Sequence, residues 1–134
     1  MMGHTPAPPD PSAGRFKPAG WPTVTPRLVT PDVAGLVEFL VMVFEARGEC
    51  REGAPSDMRI GDSMIMVSDG GGIREALPAF LHVYVEDADE TWRRAIGRGA
   101  QSIEAPRDMP YGDRRAMIRD RWGNLWQIAT HRGR

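Results

Sequence analysis

The sequence predicts an α+β domain made of two copies of one β-α-β-β-β unit, and three observations carry that expectation. A strand-like stretch followed by a helix and then by short strands occurs twice along the chain. Each copy closes on a hairpin with glycine at its turn, Gly61 in "MRIGDSMIMVSD" and Gly123 in "RRAMIRDRWGNLWQIATH". Between the copies lies "DGGGIREALP". Its glycine triplet reads as a linker, because it lacks the lysine and the following helix that a phosphate-binding loop needs.

Residues 1–22 carry six prolines among small residues. They cannot bury enough apolar surface to offset the entropy of ordering, so a tail is expected, with Phe16 and Trp21 as its anchors if it is ordered. The domain proper is then 23–134, with modules at about 23–70 and 78–131.

The first module opens with "VTPRLVT", a strand by its β-branched content, in which Pro26 marks an edge or an irregular start. In "PDVAGLVEFLVMVFEARG", Pro31 and Asp32 suit a helix start and Gly48 suits its end. Val33, Leu36, Val37, Leu40 and Phe44 fall on one helical stripe, while Val41 and Val43 fall off it. Such a helix is either covered on two sides or part of a subunit contact. A short segment near Glu49 to Glu52 and a hairpin turning at Gly61-Asp62 complete the unit.

The second module opens with a strand from Ala79 to Glu86. A helix follows, with Ala88, Trp92, Ala95 and Ile96 on one stripe and Gly99 at its end. "QSIEAPRD" supplies another strand, and the closing hairpin turns at Trp122-Gly123-Asn124. Trp92 and Trp126 lie at core spacing. Arg93, Arg94 and Arg98 read as a solvated helix face.

Composition narrows the partners. The chain has 134 residues, 41% of them hydrophobic and 26% charged, with 17 basic and 18 acidic residues giving a net charge of −1. That balance leaves no electrostatic footprint for nucleic acid or an anionic membrane, so a small neutral or mildly charged molecule is the expected partner. The longest apolar run, Leu36 to Phe44, is interrupted by Glu38 and falls short of the ~18 residues a bilayer requires. With a single cysteine, Cys50, and no signal-like apolar stretch at the start, a cytoplasmic protein is expected.

The doubled layout, the "YVEDAD" strand-to-helix junction and the closing "YGDR…IRDRWGNLWQIATH" resemble the vicinal oxygen chelate superfamily of glyoxalases, bleomycin and fosfomycin resistance proteins and extradiol dioxygenases. The Asp-x-x-Gly-Asn turn with an aromatic strand behind it is similar to a glyoxalase-like subgroup. The resemblance covers about Val24 to His131. It implies paired modules forming a curved mixed sheet around a cavity, within a homodimer. In metal-dependent relatives, His, Glu or Gln side chains from the first and fourth strands of each module bind one divalent ion.

Carried over by position, those ligand places fall at about Thr25, at Ile65 or Met66, at Phe80 with His82 two residues along the same face, and at Gln127. A carboxylate at the last place would serve as ligand and base, and an amide cannot. No metal and no cofactor are therefore expected. The loop "GECREGAPSD" is also shorter than in relatives. The residues expected to meet a small ligand are Gln127, His82, Tyr84, Arg27, Met64 and Met66. Asp113 and Arg114 are expected to fix their loop through a salt bridge, and His131 to be a surface residue. The resulting reading is a glyoxalase-like homodimer that binds a small organic molecule without a conventional metal centre. Two alternatives are a metal-dependent lyase, isomerase or dioxygenase, and a drug-sequestering resistance protein.

Overall fold

The computed structural model describes residues 16–71 and 74–133. Its elements are β1 (Arg27–Val29), α1 (Val33–Phe44), β2 (Ser56–Ile60), β3 (Ser63–Ser68), β4 (Phe80–Tyr84), α2 (Ala88–Gly97), β5 (Gln101–Asp108), β6 (Asp113–Arg119) and β7 (Leu125–His131). The strands form two mixed sheets, ordered β1-β3-β2 and β4-β7-β6-β5.

The doubling lies in the connectivity. In each sheet the last strand pairs parallel to the first and antiparallel to the strand before it: Arg27 with Met66 and Met58 with Ile65 in the first module, His82 with Gln127 and Met117 with Gln127 in the second. The α+β class holds, but the first module has one strand fewer than expected. Residues 49–52 form no strand, and the isolated bridge Arg47–Arg59 joins the outer side of β2. The stretch carries Gly48 and Gly53 at positive φ, and such residues interrupt extended pairing. The two turns also differ. Gly61-Asp62 joins β2 to β3 directly, whereas five residues separate Arg119 from Leu125.

Asp32 starts α1, its carboxylate accepting the Gly35 N–H at 3.0 Å. The helix stops at Phe44, short of the expected end at Gly48, because Glu45 turns left-handed at φ 58° and the Ala46 N–H returns to the Leu40 carbonyl. The second apolar side of α1 is covered from within the chain. Phe39 meets Trp122 edge-on at 5.9 Å, Phe44 lies 4.7 Å from Trp126, and Val43 is fully buried, which leaves only Val41 and Met42 in solvent. Arg94 of α2 reaches the Val43 carbonyl with Nε and Nη2 at 3.2 and 2.9 Å. It therefore caps a partner helix, and the solvated-face reading is corrected for this arginine. Arg93 pairs with Glu90 and Arg98 with Glu38 on exposed surface.

Of the tail, the described residues 16–22 run beside β2. Arg59 donates to the Gly20 carbonyl at 3.3 Å and Trp21 is half-buried, but Phe16 is 73% exposed, so of the two expected anchors Trp21 packs and Phe16 does not. Residues 1–15 lie outside the described part. One core joins both modules, with Leu28, Leu36, Leu40, Met58, Val67, Ile118, Trp126 and Ile128 at its centre. Among the described residues, no helix is long and apolar enough to cross a membrane.

Candidate functional site

Alternation along the strands divides the second sheet into two faces. Ala116, Ile118, Trp126 and Ile128 are fully buried on the face turned to α2. The other face is a grid set by the register. One row runs Glu104, Met117, Gln127, His82; the next runs Arg107, Arg115, Ala129, Tyr84. The sequence-predicted pair His82 and Gln127 thus stand side by side on neighbouring strands.

β4 is an edge strand with nothing paired on its outer side among the described residues. Its three outward rings are left in solvent: Phe80 at 61% and Tyr84 at 64% exposure, with His82 between them and 4.7 Å from Tyr84, ring centre to ring centre. An open cleft of about 1330 Å³ follows this edge. The β2–β3 hairpin and the end of α1 bound its far side, and His82, Tyr84, Met64, Trp126 and His131 all line it. Of the other expected site residues, Gln127 is half-buried beside His82 but does not line the cleft. Arg27 and Met66 are each other's partners on the first sheet, where the Arg27 Nε donates to the Ser68 hydroxyl at 2.9 Å. The structure brings these two together, away from the cleft.

A family model of the Glyoxalase/Bleomycin resistance protein/Dioxygenase superfamily matches residues 4–128. The chain belongs to this superfamily. Among curated proteins, the uncharacterized protein Rv0887c of Mycobacterium tuberculosis is 28% identical over 124 residues, covering 80% of this chain and 73% of that one. Among solved structures, TioX from Micromonospora sp. ML1 is 28% identical with a TM-score of 0.70, covering 81% of this chain and 97% of its own. The fosfomycin resistance protein FosX from Mesorhizobium loti shares the fold at 20% identity and a TM-score of 0.63, covering 81% of this chain and 91% of its own.

Metal-dependent members of the glyoxalase superfamily need several donors converging on one point. Here Ile65, Met66 and Phe80 offer none that suits a hard cation, and Thr25 offers only a neutral hydroxyl. His82 and Gln127 remain as two neutral neighbours, and the one carboxylate in their row, Glu104, is engaged by Arg115 at 3.3 Å and Arg107 at 3.7 Å. This donor set does not fit a divalent ion. Among the described residues, no three or more His, Cys, Asp or Glu side chains gather as metal ligands.

The superfamily signature residues serve the scaffold. Asp120, buried, accepts from the backbone N–H of Trp122 and Asn124 through Oδ1, and from Asn124 Nδ2 and Trp126 Nε1 through Oδ2, all at 2.9–3.0 Å. Asn124 in turn accepts the Ala79 N–H at 2.9 Å, which ties the turn to the start of β4. Arg114 grips Asp89 of α2 with two bonds of 2.9 and 3.0 Å. That bond holds the Asp89 carboxyl below its usual range.

Sequence reasoning named Asp113 and His131 but missed their coupling, and it passed over Arg115. Asp113, 4% exposed, lies opposite His131 in the register, and its Oδ1 is 2.7 Å from the His131 Nδ1. Arg115 donates to the Tyr111 hydroxyl at 3.0 Å and to Glu104, but its buried Nε has no hydrogen-bond partner among the described residues. Both couplings run between residues on one sheet face, and only the pairing register reveals them.

Proposed function

We propose that this chain is a small-molecule binding protein of the glyoxalase/bleomycin resistance fold, and that it takes an aromatic organic ligand along β4 without a metal centre. The observation that carries this reading is the run of three solvent-facing rings on β4, Phe80, His82 and Tyr84, the last two of which line a cleft. Large apolar and aromatic side chains left in water on one strand mark a surface built to be covered. His82, which lines the cleft, offers a ligand a hydrogen bond, whereas a hard ion needs more and charged donors. The names of two structural neighbours, TioX and a fosfomycin resistance protein, are compatible with this reading, the second through fold alone. A second copy of the chain is the proposed cover for the open edge of β4, because a lone edge strand with apolar side chains invites pairing.

Tryptophan fluorescence tests the reading: Trp126 is buried but forms part of the cleft wall, within energy-transfer reach of a coumarin bound there. A planar aromatic compound such as 7-methoxycoumarin is expected to quench the emission saturably. The double variant His82→Ala, Tyr84→Ala is expected to weaken binding at least tenfold. Equal quenching in the variant overturns the assignment of the ligand to β4.

A further inference from the structure

We propose that His131 is the proton acceptor of the cleft and that its ligand is an aromatic molecule bearing an acidic hydroxyl, a phenol or an enol. The proposal rests on the cleft being the ligand site.

The geometry begins with a buried carboxylate. Asp113 is 4% exposed, and among the described residues the only side chain bonded to it is His131, at 2.7 Å. A carboxylate in that position requires a donor, so Nδ1 of His131 carries the proton and the tautomer is set by the partner. Nε2 is then left bare, on a side chain that is 54% exposed and lines the cleft. A carboxylate that orients an imidazole and stabilises its charged form is the arrangement used wherever a histidine must take a proton in a fixed direction.

The lining selects the ligand. Four carboxylates, Glu45, Asp62, Glu86 and Asp87, face the cleft against two arginines, Arg47 and Arg94, and Arg94 is already engaged with Glu45 and the Val43 carbonyl. An acidic rim repels a ligand that arrives as an anion. It admits a neutral molecule, whose O–H bond then breaks as an N–H bond forms at Nε2. The resulting oxyanion stays beside an imidazolium whose Nδ1–H remains on Asp113. The aromatic body rests on His82 and Tyr84, whose rings lie 4.7 Å apart on the neighbouring strand β4.

The test compares 7-hydroxycoumarin with 7-methoxycoumarin, which differ in the exchangeable proton, at a pH below the ionisation point of the free hydroxyl. The absorption spectrum reports directly whether the bound hydroxycoumarin is ionised. The wild-type protein is expected to bind the hydroxyl compound about tenfold more tightly and to show the phenolate band. His131→Phe, a change at an exposed position, is expected to remove both the phenolate band and the tenfold preference for the hydroxyl compound over methoxycoumarin. Asp113→Asn, checked for folding by circular dichroism, is expected to reduce the phenolate band. Equal binding of the two compounds with no phenolate band in the wild type overturns this proposal and leaves the cleft reading standing. A phenolate band that survives His131→Phe also overturns it. If neither coumarin binds, both readings fall.

Discussion

The indole Nε1 of Trp126 donates to Oδ2 of Asp120 at 2.9 Å, and both residues are buried. The same carboxylate collects three further donors from the turn, so one charged group closes the hairpin that carries β7 and with it Gln127, Ala129 and His131. Removing the carboxylate strands four buried donors at once. Asp120→Ala is expected to cost about 3 kcal/mol in urea unfolding, a size that follows from breaking a buried network. A loss below ~1 kcal/mol would show that the turn closes without it.

Arg114 and Asp89 supply a pH-dependent link between β6 and α2. The Arg114 hydrogen bonds hold the Asp89 carboxyl below its ordinary value in the folded protein. A depressed folded value means the stabilisation is present above the unfolded carboxyl range, about pH 4, and is lost as pH falls through the folded value. Arg114→Met is therefore expected to melt at a lower temperature than wild type at pH 7, with the gap closing as the pH is taken below about 4. A gap that stays constant with pH would remove the ion pair as its cause.

Arg94 ties α2 to the end of α1 through the Val43 carbonyl. Arg94→Ala leaves that carbonyl and its helix end without the bond and is expected to cost about 1–2 kcal/mol. Arg94→Lys, which cannot reproduce a two-pronged grip, is expected to recover only part of the loss. Thermal melts of the two variants decide it.

Much of the fold was legible because it rests on local signals. The stripe Leu36, Val37, Leu40, Phe44 marked α1, and all four side chains are buried. "QSIEAPRD" became β5 despite Pro106, because register shifts on either side of Glu104 relax the ladder there. What failed was what depends on distant partners. The third strand expected after α1 is missing, and the short segment at residues 49–52 is flanked by Gly48 and Gly53 at positive φ. Arg94 reads as solvated in the sequence because its acceptor, the Val43 carbonyl, is 51 residues away. Of the expected site, His82 and Tyr84 were legible from alternation on a single strand. The separation of Arg27 and Met66 from them was not, since it depends on how two sheets are placed.

Metal content offers an independent check on the donor argument. Purified protein dialysed against metal-free buffer is expected to hold far less than one divalent ion per chain by elemental analysis, and Gln127→Glu to raise uptake by adding the missing charge. One tightly held metal per chain in the wild type, lost in His82→Ala, would restore the metalloenzyme alternative.

Amide and aromatic NMR shifts during titration with 7-methoxycoumarin test most directly whether β4 and the cleft beside it are the ligand site. Binding along β4 is predicted to perturb His82, Tyr84, Ala129 and His131 together, in a saturable and concerted manner, while the buried Asp120–Asn124 turn stays still. Shifts confined to other surfaces, for instance around Gly35 and Trp122 between the helices, would contradict it.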